Sequence, residues 1–187
     1  DIEYMCLPFR NILDVGCGTG LLVRAAVEAE YEASGVDISN WAIENADEVA
    51  RPFVKLGTAE RLEFEEKSFD LVACMDTLEH LEPQAAFRAI DEMMRVSRHE
   101  IVFRVPCARP LEWLMLKDPT ALAGPTGDDT HVMVVPDDKW RWEIVQRGWL
   151  LTCQVNAVNL CALPRNSYFV GRRHEFQYEG RDTVWEE

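Results

Sequence analysis

The amino-acid sequence predicts an α/β fold: a mainly parallel seven-stranded sheet with an antiparallel last strand and helices on both faces. Three observations carry the prediction. Apolar β-type runs alternate with helical patterns through most of the chain, the pattern of βαβ units. A glycine-rich turn joins the first such run to the first helix. Two apolar runs near the C-terminus lie close enough in sequence to pair antiparallel.

Residues 11–15 read as a buried first strand and 21–27 as the helix opened by the glycine turn. Residues 32–37 form a second strand, after which Ser39 is placed to N-cap a helix running toward Ala50. A short third strand is expected at 53–56 and a fourth at 69–75. Pro83, suited to a first helical turn, starts a helix through about Val96, and 100–105 form a fifth strand that Pro106 ends. From Cys107 to Val135 the pattern breaks, with Pro110, Pro119 and Pro125 inside the stretch and Pro136 at its edge; an insertion of this length predicts a lid or substrate loop. Helical spacing resumes over 137–147, Gly148 stops it, and 149–155 and 167–171 are the closing strands. The polar, acidic tail from Arg173 to Glu187 is expected to pack weakly.

A length of 187 residues suits one domain, taken to span residues 1–187. Against 19 Lys and Arg stand 33 Asp and Glu, a net charge of −14 that would be repelled by a phosphate backbone or an anionic membrane surface. At 48% hydrophobic the chain is too apolar for disorder, yet charged residues interrupt every apolar run well short of a membrane span. The cysteines, six in all, are scattered without the close pairs of a zinc site, which predicts buried reduced thiols and no metal. No basic stretch followed by an apolar one opens the chain, so the expected compartment is the cytoplasm. The start at Asp1, close to the first strand, leads us to expect that an N-terminal segment is missing.

Chemistry concentrates in Leu13-Asp14-Val15-Gly16-Cys17-Gly18-Thr19-Gly20. Glycine at every second position lets the backbone turn tightly and lets a ligand lie against peptide groups. A dinucleotide loop wants G-x-G-x-x-G, but counting from Gly16 and Gly18 the third glycine would fall where Leu21 stands. The nucleophile elbow G-x-S-x-G and the phosphate loop G-x-x-x-x-G-K-[ST] are absent as well.

The pattern D-x-G-x-G-x-G resembles motif I of the class I S-adenosylmethionine-dependent methyltransferases. Further segments are similar to that family: Gly35-Val36-Asp37-Ile38-Ser39 at the end of the second strand, Thr58-Ala59-Glu60-Arg61-Leu62 after the third, and Leu78-Glu79-His80-Leu81 after the fourth. The match extends through Ile101-Val102-Phe103-Arg104-Val105-Pro106, His131-Val132 and Arg147-Gly148-Trp149, covering roughly Ile12 to Arg172. The resemblance implies a Rossmann-like methyltransferase fold and S-adenosylmethionine as cofactor, with S-adenosylhomocysteine as product. It implies cofactor contacts at Asp14, Gly16, Cys17, Gly18, Gly20, Asp37, Ile38, Thr58, Ala59, Glu60 and Met75, with Asp37 accepting from both ribose hydroxyls. Many relatives carry an Asp where this chain has Thr58, which moves the adenine-amino contact to Glu60 or to the Ala59 amide, or removes it.

The implied function is methyl transfer to a small-molecule acceptor, most naturally at oxygen. An acceptor hydroxyl would benefit from a base, and His80 and His131 are the candidates because histidine titrates near neutral pH. His80 could instead cap the helix near Pro83, and His131, after Asp128-Asp129, could sit in a solvated loop. His99 and His174 read as surface groups; Trp113, Met115 and Trp140 could line the acceptor pocket or belong to the core. Two alternatives stand beside this reading: a non-catalytic cofactor-binding module, and a protein or RNA methyltransferase. The charge argues against RNA, and Met75-Asp76-Thr77-Leu78 replaces the N-P-P-Y-like tetrad of amino-group transfer.

Overall fold

A computed structural model of the chain describes residues 6–108, 130–157 and 165–173. Its strands are β1 (Asn11–Val15), β2 (Glu32–Asp37), β3 (Val54–Leu56), β4 (Phe69–Met75), β5 (Ser97–Cys107), β6 (Trp149–Ala157) and β7 (Arg165–Arg173). They form one sheet in the order β3-β2-β1-β4-β5-β7-β6. Pairing is parallel from β3 to β5, and β7 runs antiparallel to both β5 and β6.

The helices are α1 (Leu21–Glu28), α2 (Asn40–Glu44), α3 (Pro83–Val96) and α4 (Asp137–Gln146). Alternate residues of the central strands serve opposite faces of the sheet, as the period of two requires. Leu13, Val72, Cys74, Ile101 and Phe103 pack with Ala86, Ala89, Ile90 and Met93 of α3 and Trp140 and Ile144 of α4. Ile12, Leu71, Ala73 and Val102 pack with Val23 and Ala26 of α1. Both faces are therefore covered, and the near-continuous burial of β4 follows from its central place.

Two expected boundaries are corrected. The helix after Ser39 ends at Glu44 instead of reaching Ala50. Ser39 does cap it, its hydroxyl accepting from the Ala42 amide at 3.2 Å, but the Asp47 amide goes to the Thr19 carbonyl at 2.9 Å instead of continuing the helical ladder. That bond ties the segment to the glycine turn. The fifth strand starts at Ser97 and runs through Pro106 to Cys107. Pairing with β4 stops at Met75 and Arg104, so at Pro106 only β7 borders the strand, and a residue without an N–H is tolerated at what has become an edge.

The two ends of the expected insertion meet, Ala108 bridging Pro136, while 109–129 lie outside the described residues with Trp113, Met115, Asp128 and Asp129. His174, Cys161, the side chain of Cys153 and the tail beyond Arg173 lie outside them too. Trp140 is core: it is fully buried, with its ring edge-on to Phe103 at 5.7 Å. Cys17, Cys74 and Cys107 carry free thiols. Among the described residues no helix is long and apolar enough to cross a membrane.

Candidate active site

Strand order reverses at β1, whose chain continues outward to β2 and β3 on one side while β4 takes the other. Open α/β sheets bind ligands in the crevice at the carboxyl ends of strands at such a point. A cavity of about 550 Å³ opens there, a size that suits a nucleoside-bearing small molecule. Its wall is contributed strand by strand: Gly16 and Gly18 after β1, Val36, Asp37 and Ile38 at the end of β2, residues 57–60 after β3, and Asp76, Thr77, His80 and Leu81 after β4.

The glycine turn is held against β2 by the Gly16 and Cys17 amides, which donate to the Val36 carbonyl at 2.8 and 3.1 Å. Gly16 has a φ of +76°, and a Cβ there would lie 2.1 Å from the Thr77 hydroxyl oxygen, so this position is packed against the β4 loop. Gly18 has a φ of +53°, yet a Cβ there would meet nothing within 4 Å. The chain thus leaves open space over the turn where a ligand can approach the backbone. Cys17 is buried over Gly35, and Gly20 caps α1 beside Ala50; neither side lines the cavity, nor do Asp14 and Met75.

Asp37 is half-buried at the cavity wall. Its carboxylate accepts from the Gly18 amide at 2.7 Å and the Ser39 amide at 2.8 Å, one bond to each oxygen, which fixes its plane and leaves further lone pairs for a diol. Asp14, next to last in β1, pairs with Gly35 and Ala73 and is 4% exposed. Burial, and secondarily the charge of Asp37, push its pKa up to about 7. Burial, and after it the charges of Asp14 and Asp37, push the Cys17 thiol up to about 12, which keeps it protonated at neutral pH.

On the β3 side the Thr58 hydroxyl accepts from the Glu60 amide at 3.3 Å, and Arg88 of α3 holds the Glu60 carboxylate through Nε at 2.9 Å and Nη2 at 2.5 Å. On the β4 side Asp76 adopts a φ of +50°, uncommon outside glycine, and its carboxylate is gripped by Arg104, Nε donating to Oδ1 at 2.7 Å. Sequence reasoning did not assign Val36, Gly57, Asp76, Thr77 or Leu81 to the wall. The positions following each strand end were the available signal.

His80 ends a 3-10 turn, Leu78–His80, and does not cap α3, whose N-cap is Glu82. Its Nδ1 lies 3.2 Å from the Thr130 carbonyl and 3.1 Å from the Thr130 hydroxyl. The Glu79 carbonyl accepts from the Val132 and Met133 amides at 2.9 and 3.0 Å, which brings His131 alongside with its ring edge-on to His80 at 4.8 Å. The two candidate bases are therefore neighbours, and His80 lines the cavity.

The wall carries three carboxylates and no Lys or Arg. Arg88 and Arg104 pair with two of them, Glu60 and Asp76, while Asp37, held by main-chain amides, offers its charge to a cationic ligand rich in hydroxyls. Motif spacing departs from that of a dinucleotide loop, and the glycine turn with Asp37 beside it fits S-adenosylmethionine.

Comparison with known proteins agrees. Residues 12–100 match a methyltransferase-domain family. The ubiquinone biosynthesis O-methyltransferase of Alkalilimnicola ehrlichii is 31% identical over 115 residues, 58% of this chain and 46% of that protein. The chain thus spans under half the length of that relative. Among solved structures, a SAM-dependent methyltransferase from Methanosarcina mazei superposes with a TM-score of 0.68 at 16% identity, over 92% of this chain and 96% of that one. The magnesium protoporphyrin IX methyltransferase of Synechocystis with bound SAH gives 0.69 at 18% identity, over 92% and 78%. Residues 12–100 thus match a methyltransferase domain, and the strand order and fold are shared with solved methyltransferases.

Proposed function

We propose that this chain transfers the methyl group of S-adenosylmethionine to a small-molecule acceptor, at oxygen. The observation that carries the reading is the glycine-floored, cation-free cavity at the strand-order reversal, with His80 in its wall. Likeness over about half of the chain to a protein named as an O-methyltransferase supports oxygen as the acceptor atom.

When bound, the cofactor supplies an already activated electrophilic methyl group. The protein's part is therefore to hold, orient and exclude water, and proximity alone supplies several kcal/mol, about 7 or more at best. Asp37 would accept from both ribose hydroxyls through the lone pairs that Gly18 and Ser39 leave. The backbone at Gly16, Cys17, Gly18 and Gly20 would carry the amino-acid portion, with Asp14 as buried counter-charge and Met75 at the end of β4. Ile38, Thr58, Ala59 and Glu60 would flank the adenine. His80 or His131 would take the acceptor's hydroxyl proton on an imidazole nitrogen.

The test is incubation with isotopically methyl-labelled S-adenosylmethionine and a panel of hydroxyl-bearing small molecules, with products read by mass spectrometry. Label appearing on oxygen of an acceptor supports the proposal. Label found only on amino groups, on protein or on RNA would replace it.

A further inference from the structure

Beside the cavity, Glu79, His80 and His131 bring a carboxylate oxygen and two imidazole nitrogens within 4.8 Å of one another. We propose that these three side chains hold a divalent first-row transition-metal ion, such as Zn²⁺, Co²⁺ or Mn²⁺, and that the ion receives a hydroxyl oxygen of the acceptor as a further ligand. The second half of the proposal rests on the methyl-transfer reading; the first does not.

The donor set is two imidazoles and one carboxylate, which suits zinc and its neighbours better than Mg²⁺, a hard ion that prefers an all-oxygen octahedron. Three protein ligands leave positions open, the arrangement of catalytic ions as opposed to closed structural ones. His80 lines the cofactor cavity, so an ion held by it lies next to the space where an acceptor must approach.

The supporting geometry is built from both sides. Two main-chain bonds from Val132 and Met133 to the Glu79 carbonyl lock the segment carrying His131 onto the turn carrying Glu79 and His80. The Thr130 carbonyl stands 3.2 Å from His80 Nδ1, where it can accept that nitrogen's proton and leave Nε2 with its lone pair outward, the outer-shell bond typical of metal-ligating histidines. Glu79 is 1% exposed, and a carboxylate at that depth exerts a field that water screens little. Three donors about 2.1 Å from one ion in a tetrahedral shell stand roughly 3.4 Å apart, so a pair as wide as 4.8 Å closes by somewhat more than an ångström on binding. Side-chain torsions accommodate that.

Coordination gives Glu79 and the two imidazoles one shared role and, where the ion is bound, takes the place of proton transfer to an imidazole. A hydroxyl oxygen bound to the ion loses its proton to solvent water at a lower pH than the free hydroxyl, because the cation stabilises the oxyanion. The oxygen then presents a lone pair to the methyl carbon without an imidazole having to carry the proton.

The experiment uses the full chain stripped of metal with a chelator and titrated with Co²⁺ alone, followed by visible absorption, with no cofactor or acceptor present. One equivalent is expected to produce d–d bands without sulfur-to-metal charge transfer, and Zn²⁺ is expected to displace it. His131→Ala and Glu79→Gln should each weaken binding at least tenfold, whereas His99→Ala should leave it unchanged. His131→Gln, which keeps the side-chain volume, gives the same readout if the alanine variant fails to fold. Absence of the bands, thiolate charge transfer, or unchanged affinity in both His131 variants overturns the site. Because the readout involves no methyl transfer, its failure leaves the proposed function standing, and loss of methyl transfer leaves the ion in place.

Discussion

At the scale of single residues, Asp14 is the most informative. A carboxyl whose folded pKa is raised above its ordinary value binds its proton more tightly folded than unfolded. Its contribution to stability is therefore complete below about pH 4 and is lost as pH rises through about 7. The rise from 3.8 to about 7 corresponds to on the order of 4 kcal/mol at most. Asp14→Asn should accordingly raise the melting temperature of the ligand-free protein at pH 8 and leave it nearly unchanged at pH 4, measured by thermal unfolding. Equal gains at both values would remove the charge as the cause. A cationic ligand favours the carboxylate, so S-adenosylmethionine affinity should strengthen between pH 6 and 8, with proton release measurable by calorimetry in buffers of different ionisation enthalpy. At Asp37, replacement by Ala removes a charged acceptor and should weaken cofactor binding by about 1–3 kcal/mol. Unchanged affinity would move the ribose elsewhere.

The sequence displayed Asp14 and Asp37 as types at positions, but not the depth of the first or the amide partners of the second. Burial depends on what the sheet stacks above β1, and Glu79 illustrates the same limit. It was visible in Leu78-Glu79-His80-Leu81, but its meeting with His131 is made across more than fifty residues by two main-chain bonds that no local pattern encodes.

At the scale of elements, the glycine turn separates two functions that spacing alone merges. Gly16→Ala adds a Cβ 2.1 Å from Thr77 Oγ1 at a left-handed φ, so it should destabilise the fold by roughly 2–4 kcal/mol, as overpacking and handedness add. Gly18→Ala meets open space and should cost only about 1–2 kcal/mol of stability while reducing cofactor affinity more strongly. Paired denaturation and binding curves measure both; identical effects at the two sites would contradict the placement.

The loop after β3 is braced from α3. Glu92 accepts from the Leu62 amide at 2.8 Å, and Arg95 donates to the Leu62 and Phe64 carbonyls at 2.8 and 2.9 Å. Arg95→Ala leaves two carbonyls without that partner and should lower stability by about 1–3 kcal/mol, with a melting point unchanged by the mutation as the contrary result. Most elements were legible because β-type runs and helical spacing are local properties. The helix after Ser39 and the strand through Pro106 were not, because the Thr19 carbonyl and the retreat of β4 decide them from outside the segment.

At the scale of the whole molecule, the net charge of −14 is partly concentrated at a functional edge: Asp37, Glu60 and Asp76 all face the one crevice created by the strand-order reversal, with Asp14 beneath. Arg88 and Arg104 pair with Glu60 and Asp76, so Asp37 and Asp14 are the charges expected to favour a sulfonium cofactor over its neutral product. Added salt should therefore weaken S-adenosylmethionine binding more than S-adenosylhomocysteine binding. The central claim is that this crevice binds the sulfonium cofactor, and calorimetric titration of the folded chain with S-adenosylmethionine and S-adenosylhomocysteine tests it most directly. Saturable one-to-one binding of both, lost or strongly weakened in Asp37→Ala, is the expected result; no heat with either ligand from well-folded protein would contradict it.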